Sequence, residues 1–286
     1  MPKHEIRVAL LAAVLFAACS KADNKPEAAA PPPPPEPNVV TFTAADFNYT
    51  GPDTIPAGVT TIRLVNNGTQ PHHMFMVKLN EGKTVQDLMT AMQAPNATEM
   101  PSWAIESGGP NAAEPGRTIA STIPVEAGNY VIFCVIPGPD GVPHVAKGMT
   151  RNLTVVPAPA AAAIAAEPTA DITMTLIDYG FQLSTPITAG RHTIKFDNAA
   201  AQAHEVVLVK LNPGTTIQQW IDAANKMTGP LPGQLMDGIA GMAPGRHGYA
   251  TVDFTPGDYG LVCFAPDAKD GKPHFIHGMV QQFTVS

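Results

Sequence analysis

Gly257-Asp-Tyr259-Gly-Leu-Val-Cys263, followed after a loop by His274-Phe-Ile-His-Gly-Met279, is the stretch that decides how this chain reads. The same stretch occurs earlier, as Gly128-Asn-Tyr130-Val-Ile-Phe-Cys134 and then His144-Val-Ala-Lys-Gly-Met149. In both copies a Gly turn opens a short apolar run of strand type that ends on a lone thiol. An imidazole and a thioether follow in the same order.

Working outward, the copies are one unit repeated. Tyr130 to Tyr259 and Cys134 to Cys263 are each 129 positions apart, while His144 to His274 and Met149 to Met279 are 130. Upstream, Gly58 to Gly190 and His72 to His204 are 132. Small drifts of this kind mark loop insertions in a duplicated domain. The offset pairs His72 with His204 and His73 with Glu205, so His72 is the candidate ligand. His73 is its strand neighbour, directed to the opposite face.

A thiol, two imidazoles and a thioether are the donors that a copper ion takes in a trigonal site with a weak axial ligand. The candidate metal ligands are therefore His72, Cys134, His144 and Met149 in one copy, and His204, Cys263, His274 and Met279 in the other. Each has a bland alternative. A lone Cys can be a small buried hydrophobe and a Met an ordinary core residue. His144 and His274 can equally be exposed turn residues. His277 could compete with His274, but the register with Val145–Gly148 disfavours it. His192 and His247 have no counterparts and read as surface residues. Met89, Met92, Met100, Met227, Met236 and Met242 read as packing around Trp103 and Trp220.

Lys3 and Arg7 precede an apolar run from Val8 to Ala18, too short to span a bilayer and typical of a signal peptide. It ends Phe16-Ala-Ala-Cys19, which resembles a bacterial lipoprotein cleavage box. On that reading residues 1–18 are removed and Cys19 is acylated. An ordinary signal peptide with a chance Cys is the alternative. Residues 19–38 are an Ala/Pro/Glu-rich tether with five prolines from Pro31 to Pro35. A second Ala/Pro stretch, 157–168, separates the repeats. The expected domains are then 39–156 and 169–286. The expected location is the periplasmic side of the envelope, with an outer-membrane destination because Ser20 rather than Asp follows Cys19.

The formal net charge is −7, with no basic cluster, which disfavours nucleic acid as a partner. With Cys19 taken by lipid, one Cys remains per repeat. Unpaired thiols are unusual in an exported protein, and a metal thiolate explains them better than a Cys134–Cys263 disulfide.

The strand signals are short and evenly spaced. The first copy gives Val39–Thr43, Thr60–Asn66, Met74–Leu79, Thr118–Ile123, Asn129–Val135 and Met149–Val155. The second gives Ile172–Ile177, Gly190–Asp197, Glu205–Leu211, Gly248–Phe254, Asp258–Phe264 and Met279–Val285. One helix interrupts each copy. Thr216-Ile-Gln-Gln219 reads as a capping box, with Ile217, Trp220, Ile221 and Ala224 on one face. Thr84 opens the matching segment, with Val85, Leu88, Met89 and Met92. The expected fold class is all-β: two tandem Greek-key β-sandwiches of two antiparallel sheets, each with a small helix insertion.

Gly-x-Tyr-x3-Cys, then His-x4-Met, then a strand ending Leu153-Thr-Val155 or Phe283-Thr-Val285, resembles the plastocyanin branch of the cupredoxins. The resemblance runs through both repeats, with the helix and its loop as an elaboration. It implies a blue-copper site in each repeat and one-electron transfer with a redox partner, through a solvent-near edge of His144 and His274. One departure stands out. Small cupredoxins place the second His a few residues after the Cys, whereas here nine residues separate Cys134 from His144 and ten separate Cys263 from His274. Pro139-Asp-Gly141 and Lys269-Asp-Gly271 are turn formers. A hairpin excursion would return His to Cys; an open loop would leave it outside.

Three functions follow: a lipid-anchored electron carrier with type 1-like copper; a copper carrier or store that meets copper-handling proteins; and a metal-free module for protein contact in the envelope. The chain is expected not to be an enzyme. Copper oxidases and nitrite reductases place His beside the copper Cys to reach a catalytic copper centre. Here the neighbours are Phe133 and Val135, and Val262 and Phe264.

Overall fold

The computed structural model describes residues 1, 35–94, 97–160, 164–226 and 229–286. The signal segment, Cys19 and Met227 lie outside them. Among the described residues no helix is long and apolar enough to cross a membrane.

Among the described residues each repeat contributes nine strands and one α-helix. The first has β1 (Asn38–Ala45), β2 (Asn48–Thr50), β3 (Thr54–Pro56), β4 (Gly58–Asn66), β5 (Phe75–Leu79), α1 (Val85–Met92), β6 (Ala104–Glu106), β7 (Thr118–Val125), β8 (Gly128–Phe133) and β9 (Thr150–Val156). The second has β10 (Ile172–Ile177), β11 (Gly180–Leu183), β12 (Gly190–Asn198), β13 (His204–Leu211), α2 (Ile217–Lys226), β14 (Gly233–Leu235), β15 (Ile239–Met242), β16 (His247–Phe254), β17 (Gly257–Val262) and β18 (Val280–Val285).

The fold class is all-β, and each repeat is a β-sandwich. In the first, β2-β1-β4-β7 faces β3-β9-β8-β5-β6; in the second, β11-β10-β12-β16 faces β14-β13-β17-β18, with β15 on β13. The alternation of β10, buried at every second residue, shows the principle: Ile172, Met174 and Leu176 enter the core while the intervening side chains are partly exposed. Burying each such side chain contributes about 1.5–3 kcal/mol.

The sheets are not purely antiparallel as expected. β1 runs parallel to β4, β10 to β12, and β3 to β9. The first strand of each sandwich enters beside a strand it does not form a hairpin with, so direction is free of the turn constraint. The short strands β2, β3, β6, β11, β14 and β15 were not expected, because three or four residues carry no readable period.

The two repeats form one compact unit, Pro34–Ser286. β7 meets β16 through Tyr249 and Thr122, which joins the outer sheets into one of eight strands. The segment after β6 pairs with β15 of the other repeat, with Ser107 opposite Met242 and Pro110 opposite Ile239. Two glycines let the flanking segments lie close against a strand-side backbone of their own repeat. A Cβ at Gly109 would lie 2.2 Å from the Met74 carbonyl oxygen, and a Cβ at Gly238 would lie 2.2 Å from that of Val206. Backbone approach that close admits only glycine.

Both helices are capped as read. The Thr84 hydroxyl accepts from the Asp87 N–H at 3.1 Å while the Thr84 N–H donates to Asp87 Oδ2 at 2.9 Å. Thr216 and Gln219 repeat the arrangement. Ile217, Trp220 and Ile221 form the buried face of α2. The methionines divide differently from the reading. Met89, Met92 and Met100 pack near Trp103, but Met236 and Met242 belong to the main core rather than to the cluster of Trp220.

Candidate metal centres

Both centres are assembled by the same local devices. Asn66 Nδ2 donates to the carbonyls of Gln70 and Ala113, each at 2.8 Å, and thereby pins the turn that leads to His72. Asn198 does the same with Gln202 at 2.9 Å and Met242 at 2.7 Å, ahead of His204. Cys134 and Cys263 lie one residue beyond β8 and β17. Tyr130 and Tyr259 lock the start of those strands by donating to the Glu126 carbonyl at 3.0 Å and the Thr255 carbonyl at 2.9 Å.

The long Cys–His loops close on themselves. Pro137 bridges to Pro143 and Pro266 to Pro273, each pair forming the neck of a small hairpin. His144 N–H then donates to the Ile136 carbonyl at 3.0 Å, and His274 N–H to that of Ala265 at 2.9 Å. Each His opens a short 3-10 turn that ends on a left-handed glycine, Gly148 at φ 98° and Gly278 at φ 103°. The turn delivers Met149 and Met279, whose N–H groups donate to the His144 and His274 carbonyls, both at 3.0 Å. Both methionines are fully buried.

The imidazoles and thiols converge. In the first repeat His144 Nδ1 lies 3.5 Å from Cys134 Sγ and 3.1 Å from His72 Nδ1. In the second, Cys263 Sγ lies 3.5 Å from His274 Nδ1 and 3.8 Å from His204 Nδ1. In each trio the three donor atoms lie within 4.8 Å of one another, and all six residues are buried. His144 and His274 are fully buried. They are therefore not exposed turn residues, and the expected solvent-near edge is not found. Phe47 covers His144 with ring centroids 4.9 Å apart, and its counterpart Tyr179 covers His274 at 5.6 Å.

A feature missed in the sequence orients the rings. His72 Nε2 donates to Asp46 Oδ1 at 2.7 Å, and His204 Nε2 to Asp178 Oδ1 at 3.1 Å. An ionised carboxylate only accepts, so the proton sits on Nε2 and the Nδ1 lone pair faces inward. Gln70 Oε1 fixes His144 likewise, at 3.1 Å from Nε2. Two inward lone pairs 3.1 Å apart repel unless a cation lies between them. His274 Nε2 has no partner; Asp267 Oδ2 is 4.0 Å away. Asp46 and Asp178 share the 132-residue offset of the ligand histidines, which was the available signal.

Burial sets the protonation states. It lowers His72 and His204, opposed in each by the Asp partner. It lowers His144 and His274 to about 4, helped by the neighbouring His72 and His204. All four rings are neutral at neutral pH and able to ligate. Burial pushes the Cys134 thiol up to about 12 and the Cys263 thiol well up too. A metal must displace those protons.

The other histidines go elsewhere. His73 is buried with Nδ1 unpartnered. His277 is exposed and pairs with Asp270 at 3.2 Å. His192 and His247 are partly exposed and pair with Asp171 and Glu167. Cys134 and Cys263 are both free, so no disulfide joins them.

No protein-family model and no curated protein matches the chain. Solved structures do. An auracyanin of the photosynthetic bacterium Roseiflexus castenholzii is 23% identical, covering 43% of this chain and 100% of its own, with a TM-score of 0.29. Auracyanin A of Chloroflexus aurantiacus, a blue copper protein, is 24% identical over 42% of this chain and 99% of its own, at 0.30. A copper nitrite reductase of Nitrosomonas europaea is 14% identical over 88% of this chain and 94% of its own, at 0.26.

The expectation that the chain is not an enzyme is corrected here. Solved structures whose match extends over both repeats include the nitrite reductase and a multicopper oxidase, which are enzymes.

The donor set fits copper. Neutral imidazole suits copper, and thiolate with thioether favours its reduced ion. A four-coordinate ion with bonds of about 2.0 Å to nitrogen and about 2.3 Å to sulfur separates these donors by roughly 3.5 Å. The observed 3.1–3.8 Å brackets that value.

Proposed function

We propose that each repeat binds one copper ion, which His72, Cys134, His144 and Met149 would hold in the first and His204, Cys263, His274 and Met279 in the second. The pair of centres serves one-electron transfer. The observation that carries this reading is the duplication: the same three donor atoms converge in a buried pocket twice, although the loops that deliver them differ in length. Bound copper would supply the one-electron redox change. The chain's part is to hold the donors rigidly in a dry site. Asp46, Asp178 and Gln70 keep the rings in place, and the apolar surround limits reorganisation.

With both imidazoles covered, the electron would reach a redox partner through Phe47 over the first centre and Tyr179 over the second. We place the protein on the periplasmic side of the envelope, held by lipid on Cys19; the support is the leader, the Cys box and the Pro-rich tether. The partner is then a redox or copper-handling protein at the same surface.

The test is optical. Purified protein receives Cu(II), and the visible spectrum is recorded before and after dithionite and again after reoxidation. An intense thiolate-to-copper band that bleaches and returns supports the reading. Tight Cu(I) binding without a coloured Cu(II) form supports a carrier or store. No binding leaves a contact module.

A further inference from the structure

A cavity of about 620 Å³ opens between the two repeats, a size typical of small-molecule sites. Its walls are largely apolar, with Phe75, Trp220 and Phe264 among them. Polar groups interrupt them, among them Glu106, Glu205, the His73 ring and the Trp220 indole N–H. His73 Nδ1 and Trp220 Nε1 are buried and have no hydrogen-bond partner.

The carboxylates are the informative pair. Glu205 accepts from the Phe264 N–H at 3.1 Å and from Asn111 at 3.3 Å. Among the described residues neither glutamate forms an ion pair with a lysine or arginine, and Glu106 has no side-chain hydrogen bond. Burial, with the charge of Glu205 adding to it, pushes the Glu106 carboxyl up to about 7. Carboxylates placed in an apolar cavity without a counter-charge are costly to keep there. Unmatched charge beside apolar walls and orphaned donors is the pattern of a site shaped for a ligand. Among the described residues no third His, Cys or carboxylate ligand converges with the two glutamates, which disfavours a metal ion as the occupant.

We propose that this cavity binds an organic cation, its ammonium group held by Glu106 and Glu205 and its apolar body lying against Trp220 and Phe264. The wall includes the residues next to the candidate ligands, Pro71 and Val135 in the first repeat and Glu205 and Phe264 in the second. A bound cation would therefore touch the chain one residue from each metal centre. The site itself needs no metal.

The experiment is calorimetric titration of the metal-free protein with 2-phenylethylammonium, and in parallel with the neutral 2-phenylethanol. The expected result is saturable binding of one ammonium probe per chain, with the alcohol at least about tenfold weaker. Glu106→Gln preserves shape and is expected to weaken the ammonium probe by a similar factor, with an unchanged far-ultraviolet circular dichroism spectrum. Equal binding of the two probes by the wild-type protein, or binding of neither, overturns the proposal without recourse to a variant. Affinity unchanged in Glu106→Gln overturns it too. Because no metal is present, failure here leaves the copper reading standing, and failure of copper binding leaves this one standing.

Discussion

Asp46 and His72 are 26 residues apart, and the His72 ring donates its Nε2 proton to the Asp46 carboxylate at 2.7 Å. Asp178 and His204 repeat the relationship at the same spacing, at 3.1 Å. A buried imidazole that must present Nδ1 to a metal is held in that tautomer by an acceptor on its far side. The acceptor is duplicated along with the imidazole, as the proposed ligand role of the ring requires.

Asp46→Asn and Asp178→Asn are accordingly expected to weaken copper binding about 10- to 100-fold, each in its own repeat. Competition with a chelator measures this. A change of melting temperature with unchanged copper affinity would make the pair a purely structural contact.

Copper affinity should rise with pH. The Cys134 thiol, raised by burial to about 12, is protonated across the neutral range, while His144, lowered to about 4, is already neutral there. Binding therefore releases one proton per site. Between about pH 6 and pH 8 the logarithm of the association constant should climb about one unit per pH unit. A flat profile would mean that the thiol is not a ligand.

Stability offers a check of the cavity glutamates. Burial raises Glu106 and Glu205 from 4.5 to about 7 in the folded protein. In that window the folded state binds protons more tightly than the unfolded one, so their contribution falls as pH rises from about 4.5 to about 7. Glu106→Gln with Glu205→Gln removes this penalty. The melting temperature of the double variant relative to wild type should therefore be higher at pH 8 than at pH 5, as calorimetry can record. The reverse trend would show the carboxylates to be matched by charge.

Gly109→Ala and Gly238→Ala each place a Cβ 2.2 Å from a carbonyl oxygen. Each should cost about 3 kcal/mol or more in denaturant unfolding. A loss below about 1 kcal/mol would show that these close backbone approaches within each repeat relax easily.

Much of this architecture was legible because the chain states it twice. The fixed offsets chose His72 over His73 before any coordinates. The period-2 pattern located long strands such as β10, and the Thr216 and Thr84 caps located both helices. What was hidden has physical causes. Whether nine residues after Cys134 return His144 depends on the Pro137–Pro143 bridge, a nonlocal pairing with no local pattern. The burial of His144 under Phe47 follows from packing between distant segments. The joining of the repeats through Tyr249 and Thr122 depends on edge strands that a linear reading treats as separate. Asp46 and Asp178 carried a signal in their shared offset, but a lone Asp before an aromatic residue reads as a turn.

The most direct test of two equivalent centres is copper content per chain, measured by elemental analysis after loading and gel filtration. Two coppers in the wild type, one in Cys134→Ala, one in Cys263→Ala and none in the double variant are expected. Two coppers retained in the double variant, or none in the wild type, would contradict thiolate copper centres in both repeats.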